Sequence, residues 1–322
     1  MPFCDQVRDT NQRVVLYEVI PPPEGTLDQA VQSSLESLQE LCRRVNINAI
    51  NIPEVRREGR PGERSAKLIS KIEPRQYGQL IQQTLSGQVE TIVNRGVVYE
   101  PLSQQREWLR TTWEEYGIRN LVLVGGESGQ THYPGPSVTE AARLITAAPN
   151  DDPLVATDYF CGGITIPARR EEPARLIAKA QHGLEFFTSQ VLYEAGNTKR
   201  LLQDYARLCR QRGETPRRIF LSFAPVSSGK DIEFLKWLGV EMPAHIEHFI
   251  LDGWIGVAWR SIKIASQVLD EILGFAEAEG LNLPLGLNIE HVMRHNFEAS
   301  REMTTELSEV YARHSKTHEV KT

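Results

Sequence analysis

The residues with the clearest chemical potential lie in RVVLYEVIPPP, Arg13 to Pro23. Glu18 is a lone carboxylate in an apolar, strand-favouring run of Val14, Val15, Leu16, Tyr17, Val19 and Ile20, which three prolines then cut off. Proline donates nothing to a ladder, so the strand stops there and Glu18 falls in its last turn. A carboxylate in that setting is costly unless it is paired or protonated. Glu18 is therefore either a core acid satisfied by a cation or an acid whose raised pKa suits it to deliver a proton.

Polar side chains recur at comparable places further along: Asn51, Asn94 and Arg95, Glu127, Asp158 and Tyr159, Gln190, Ser222, then Asn288, Glu290 and His291. The pairs Gly125-Gly126 and Gly162-Gly163 could admit a flat ring or a phosphate close to the backbone, or could simply make tight turns. SSGKD, Ser227 to Asp231, sets backbone N–H groups and Lys230 where a phosphate could bind; a helix cap by Ser227 or Ser228 is the plainer alternative. His245 and His248 have no third ligand near them in sequence, so no metal site is expected.

These residues need elements that bring them together. The first strand is nearly continuous in apolar character, as expected of a strand covered on both faces. A helix over about 26–44 follows, then a short strand in INAINIP, and then a charged loop, EVRREGRPGERSAK, that could serve as a ligand lid. Further strands are expected over 88–98, 120–124, 154–159, 184–193, 218–223 and 285–289, with helices over 103–116, 138–148, 171–182 and 198–212 between them. The stretch from Gly239 to Gly280 exceeds one crossover and implies extra helices before the last strand. Regular strand–helix alternation in one unbroken chain predicts a parallel α/β fold, and eight units fit a closed (β/α)8 TIM barrel as one domain over 1–322, with a polar tail fraying from about 313. The first strand is not followed by GxGxxG, which counts against a doubly wound nucleotide-binding sheet. In a barrel the listed polar residues would meet at the carboxyl ends of the strands.

Composition narrows the function classes. The 322 residues carry a formal net charge of -6, which argues against nucleic acid as the main partner. Cys4, Cys42, Cys161 and Cys209 are scattered without a CxxC, as in a reduced, cytoplasmic chain. No run is long and apolar enough for a membrane span, and MPFCDQVRDTNQR lacks the apolar centre of a signal peptide.

Several of these stretches, in order, resemble the methylenetetrahydrofolate reductase family. YEVIPPP is similar to that family's opening Glu-and-proline strand, GIRNLVLVGGE to its GIR…RGD segment, the stretch ending TSQVLY to its TQ-aromatic strand, and FAPVSSGKDIEFLKWLGVEMP to its LPVSN segment. The resemblance implies reduction of 5,10-methylenetetrahydrofolate to 5-methyltetrahydrofolate with NADH or NADPH, usually through FAD. It makes Glu18 the general acid toward the pterin N5, Gln190 a pterin ligand, and Glu127 the acid that influences the iminium intermediate. Asn51, Tyr159 and Asn288 join the substrate site, while Arg95, Gly125, Gly126 and Gly162 fall at cofactor positions. The departures cluster at flavin contacts: Gly125 replaces an Arg, Glu127 an Asp, Arg95 a His, and NIPEV stands where VTYG is usual. TSQVLY and LSFAPV are closer to a divergent, flavin-independent branch. The resemblance thus favours direct hydride transfer and leaves FAD as an alternative. Two other readings remain open: a folate-binding methyltransferase or lyase, and a non-catalytic folate-binding subunit using the helical insert around Trp254 to Ile264 as a partner surface. A homo-oligomer is also an open expectation.

Overall fold

The computed structural model describes residues 1–56, 69–126, 131–146, 159–252 and 256–315. Eight parallel strands close on themselves in sequence order: β1 (Val15–Val19), β2 (Ala49–Ile52), β3 (Glu90–Gly96), β4 (Asn120–Val124), β5 (Phe160–Thr165), β6 (Phe186–Val191), β7 (Arg218–Phe223) and β8 (Leu285–His291). The expected TIM barrel is what forms. Closure is made by β1 and β8, paired from Val15 with Leu287 through Val19 with His291.

Every strand is buried on both faces, but the two faces serve different cores. Val15, Tyr17 and Val19 of β1 point outward into the layer between barrel and helices, whereas Leu16 points into the barrel. The outer layer is completed by helices whose apolar residues recur at helical spacing. Examples are α2 (Asp28–Arg44), with Val31, Leu35, Leu38 and Leu41 buried, and α7 (Gly196–Arg212), with Leu201, Leu202 and Tyr205 buried. The same layer carries α4 (Leu102–Glu114) and α5 (Val138–Thr146). Before β8 the chain inserts α8 (Gly229–Trp237), α9 (Ala244–Leu251) and α10 (Val257–Ala278), which are the extra helices expected there. α11 (Phe297–Ser315) closes the ring; Tyr17 reaches it through a 2.6 Å hydrogen bond with Ser300. The tail does not fray at 313: α11 runs through Ser315, and both ring nitrogens of His314 lie 3.1 Å from carboxylates, Glu277 and Asp270. Among the described residues no helix is long and apolar enough to cross a membrane.

Two helices have no counterpart in the sequence reading. α1 (Phe3–Arg8) plugs the amino-terminal end of the barrel: Phe3 is fully buried and meets the rings of Phe160 and Phe186 edge-on, each at 5.8 Å. α3 (Pro74–Thr84) begins on Glu73, whose carboxylate accepts from the N–H groups of Arg75 and Gln76, with Pro74 in the first turn.

β5 is displaced from its expected position. The strand is FCGGIT, Phe160–Thr165, so Asp158 and Tyr159, taken as its carboxyl end, precede its start; the rest of the expected span, 154–158, lies outside the described residues. Gly162 consequently lies inside the barrel, where a Cβ would come within 2.4 Å of the Phe186 ring. Its lack of a side chain makes room for that ring and does not open a cofactor site. Gly162→Ala is therefore expected to overpack the barrel and lower unfolding free energy by about 1–3 kcal/mol. A denaturant titration checks this; unchanged stability would show that the site has slack the packing does not reveal.

Candidate active site

The polar interior lies at the carboxyl ends of the strands, above the aromatic floor. Inward-pointing positions alternate along each strand, and near the mouth they are Glu18 on β1, Asn51 on β2, Asn94 on β3, Ser222 on β7, and Asn288 and Glu290 on β8. Glu18 and Glu290 are register partners across the closing seam. Glu18, 8% exposed, accepts a hydrogen bond from Asn51 Nδ2 at 2.6 Å and another from the Asn94 side chain. Asn288 Nδ2 donates to Ser222 Oγ at 2.9 Å and to Glu290 Oε1 at 3.2 Å. Glu290 is the more exposed of the two acids.

Electrostatics follow from that enclosure. Burial, and then the charge of Glu290, push the Glu18 carboxyl well above the usual carboxylate range, against the opposing pull of Asn51 and Asn94. Burial pushes Glu290 up to about 7, against a hydrogen bond from Ser222. Among the described residues no lysine, arginine or histidine forms an ion pair with either acid, so Glu18 has no neutralising cation there. Three buried amide oxygens, Oδ1 of Asn51, Asn94 and Asn288, accept no hydrogen bond among the described residues. Buried acceptors are ordinarily paired. These three suit a ligand that brings N–H donors.

Other expected site residues are placed elsewhere. Tyr159 precedes β5, donates its hydroxyl to the Leu109 carbonyl on α4 at 2.6 Å, and packs edge-on against Trp113. That position is on the helix layer, with its hydroxyl engaged within the chain. Arg95 follows the inward Asn94 and so points outward. Only 2% exposed, it pairs with Glu54 at 3.0 Å and with Glu100, donates its Nε–H to Gln105 Oε1 at 2.9 Å, and lies over the Trp108 ring. Its guanidinium holds the β2 and β3 ends to α4 and is not presented to a cofactor. Gly126 is exposed, and a Cβ there would meet the Tyr133 ring at 2.3 Å; at Gly125 the neighbour would be Val138 at 3.3 Å. Both glycines admit parts of this chain at the end of β4. Glu127, Asp158 and the greater part of the expected lid loop lie outside the described residues.

Gln190 sits at an irregularity in the β6–β7 pairing, between Thr188 and Val191. Its Oε1 accepts from its neighbour's N–H, Val191 at 3.1 Å, and its Nε2 donates to the Leu238 carbonyl at 3.4 Å. It lines a small rim cleft of about 40 Å³ with Tyr193, Asn197 and Glu241. The acid pair and Gln190 thus share one end of the barrel without touching. A larger cavity, about 340 Å³, lies at the opposite end beside Arg13, Arg218 and Tyr311. There Arg218 is spent on the carbonyls of Val7, Asp9 and Leu285. Chemistry in this fold belongs to the carboxyl ends.

SSGKD proves to be a helix start with Ser228 as N-cap. Asp231, buried, accepts from Ser227, from Asn296 at 3.0 Å and faces His295 Nε2 at 3.2 Å. Burial alone would raise its pKa; those donors outweigh it and hold the carboxylate low. It joins the β7 and β8 loops. Among the described residues no cluster of side chains could hold a metal.

The fold and interior define a (β/α)8 barrel with a paired-acid mouth. No protein-family model matches the chain, and no curated protein matches it. Among solved structures it is similar to an uncharacterised protein from Clostridium thermocellum that binds two copies of 5-methyl-5,6,7,8-tetrahydrofolic acid. The identity is 21%, over 96% of this chain and 99% of that one, with a TM-score of 0.76. It also matches oxaloacetate acetylhydrolase in complex with oxalate, at 10% identity over 95% and 88% and a TM-score of 0.49, too remote for argument.

A carboxyl whose pKa is higher folded than unfolded stabilises the fold below its unfolded value, and that contribution is lost as pH rises through the folded one. As pH rises from the ordinary 4.5 to about 7 for Glu290, and through the range in which Glu18, likewise raised by burial, lets go, stability is expected to fall. The fall between about pH 5 and pH 8 should be on the order of 1–3 kcal/mol. Glu290→Gln should flatten it in denaturant titrations run across that range. Parallel losses in both proteins would remove the buried pair as the cause.

Proposed function

We propose that the chain binds a reduced folate in the barrel mouth and reduces 5,10-methylenetetrahydrofolate to 5-methyltetrahydrofolate, with Glu18 as the general acid. The observation that carries this reading is a buried carboxyl group at the mouth, whose burial beside Glu290 favours the protonated form, set among three buried amide oxygens that find no donor among the described residues. The pyrimidine edge of a pterin brings N–H donors of the kind those oxygens lack, and the reaction needs an acid that is still protonated at neutral pH. The ligand of the C. thermocellum neighbour is the product of this reaction, which supports the same reading.

The step balances as one proton and one hydride. The Glu18 proton enters at N5 and passes to N10 as the methylene–N10 bond breaks, N10 keeping the bonding pair. The methylene carbon, now an iminium with N5, takes a hydride and becomes the methyl group. NADH or NADPH, when bound, supplies that hydride. Asn51 and Asn94 hold Glu18 in place, and the apolar floor keeps water from the acid's lower side. Gln190, on the rim, would take the outer part of the pterin. Arg95, Gly126 and Gly162 are engaged within the chain, so no step is routed through a flavin.

Glu18→Gln should leave folate affinity within a few-fold while cutting NAD(P)H oxidation with methylenetetrahydrofolate by about 10²–10⁴-fold, the usual reach of a general acid. Retained turnover in the variant would end the acid assignment. The visible spectrum of the purified protein, recorded first, separates direct transfer (colourless and active) from flavin chemistry. Colourless protein that binds folate without turnover would favour the binding-subunit or lyase readings.

A further inference from the structure

We infer that Glu290 is the proton partner of Glu18: register-paired across the β1–β8 seam and each held by its own asparagine, the two carboxyl groups share one proton, and Glu290 keeps Glu18 loaded. The role in turnover rests on the reductase reading; the shared proton does not.

Geometry makes the case. The barrel closes by setting β1 beside β8, and the pairing aligns Glu18 with Glu290 on the inward face. Asn51 donates to one acid and Asn288 to the other, a near-symmetrical arrangement about the seam. The groups facing the pair from each wall are neutral: Asn51 on β2, Asn94 on β3, Ser222 on β7 and Asn288 on β8. Tyr193, after β6, feels the charges of both Glu290 and Asp231, and its hydroxyl is committed to the Ala224 carbonyl at 2.7 Å. His291, next on β8, points outward, where burial pushes its pKa down and Nε2 faces the Arg294 carbonyl. Among the described residues nothing in this wall supplies a positive charge, and retaining a proton avoids two adjacent anions.

The pair also has a direction. Glu18 is the deeper acid and Glu290 the one nearer solvent. Once Glu18 spends the shared proton both acids are anions; Glu290, nearer solvent, then takes a proton from water at the mouth and passes it to Glu18. As long as Glu290 is an anion, it also raises the pH at which Glu18 lets go. Glu290 therefore acts on substrate through Glu18, as a positioning and reloading residue.

The test reads the pair with and without chemistry. Carbon-13 carboxyl resonances of glutamate-labelled protein, titrated without ligand, should give linked midpoints for Glu18 and Glu290 in the unmodified chain. Glu290→Gln should lower the Glu18 midpoint, and Glu18→Gln the Glu290 midpoint, each by about one pH unit or more, the displacement expected of a like-charged neighbour. Midpoints unmoved by loss of the partner would overturn the inference. In turnover, Glu290→Gln should shift the alkaline limb of kcat/KM toward acid, lowering the ratio of rates at pH 8 and pH 6 about tenfold. An unshifted limb with an otherwise active enzyme would overturn the reloading role. Absence of turnover in the unmodified chain would refute the reductase reading, and the resonances would still decide whether the proton is shared.

Discussion

Glu18 and Glu290 stand on adjacent strands of a closed sheet, where neighbouring backbones lie about 4.8 Å apart and little water enters. Two full negative charges at that spacing would repel by about 3–4 kcal/mol even at an effective dielectric of about 20. Sharing a proton avoids that repulsion. The arrangement of the mouth follows from it: neutral carboxamides surround the acids, each acid has at least one donor, and cations are kept to the outer layer. A lysine or arginine inside would neutralise the pair and discharge the acid. Arg95, one residue along from Asn94, is turned outward onto Glu54, Glu100 and Trp108.

The lower barrel supplies the rigidity that such an enclosure requires. Phe3, Phe160, Phe186 and Phe220 form an aromatic stack across the floor, with Phe160 and Phe186 nearly parallel at 5.3 Å and Phe220 meeting Phe186 edge-on at 5.7 Å. Rings of that size fit a narrow barrel only where facing positions are empty. Gly162 faces Phe186 and Gly286 faces Phe220, each so closely that a Cβ would fall 2.4 Å from a ring atom. Apolar packing below and polar groups above give the barrel axis a gradient. The acids sit at its transition, dry on one side and open to the mouth on the other.

Much of this was legible in the chain, and the failures share a physical origin. β4 and β7 fall where their apolar runs put them, because no glycine or proline interrupts NLVLV or RIFLSF. β5 was displaced because FCGGIT carries two glycines, which read as a turn when the ring that needs their space lies on the next strand. α3 escaped notice because its buried face is only Tyr77, Gly78 and Ile81 amid glutamines. The site residues divide by strand parity. Neighbours such as Asn94 and Arg95, or Glu290 and His291, cannot both face inward. A strand buried on both faces hides that parity from hydrophobicity, so four polar residues looked equivalent when two belong to the interior. Glu290 stood among the strand-end polar residues without a role, for its value depends on β8 closing against β1, a contact between the two ends of the chain.

The same pair separates a structural account of the mouth from a chemical one. Had the interior needed only to be filled, leucine at either position would cost nothing in desolvation and would remove the like-charge problem, as replacing buried ionic groups by apolar ones of similar volume often does. Instead, among the described residues, the chain places two acids together without a cation, surrounds them with asparagines that do not neutralise them, and leaves three of those asparagines' oxygens without donors. Each of these features opposes stability when the mouth is empty. All three turn favourable together when a ligand brings N–H donors to the amide oxygens and a basic nitrogen to the proton. An acid kept protonated by its neighbour is most useful to a reaction that consumes a proton in a site where water cannot supply one directly, which is the setting this barrel constructs at its β1–β8 seam.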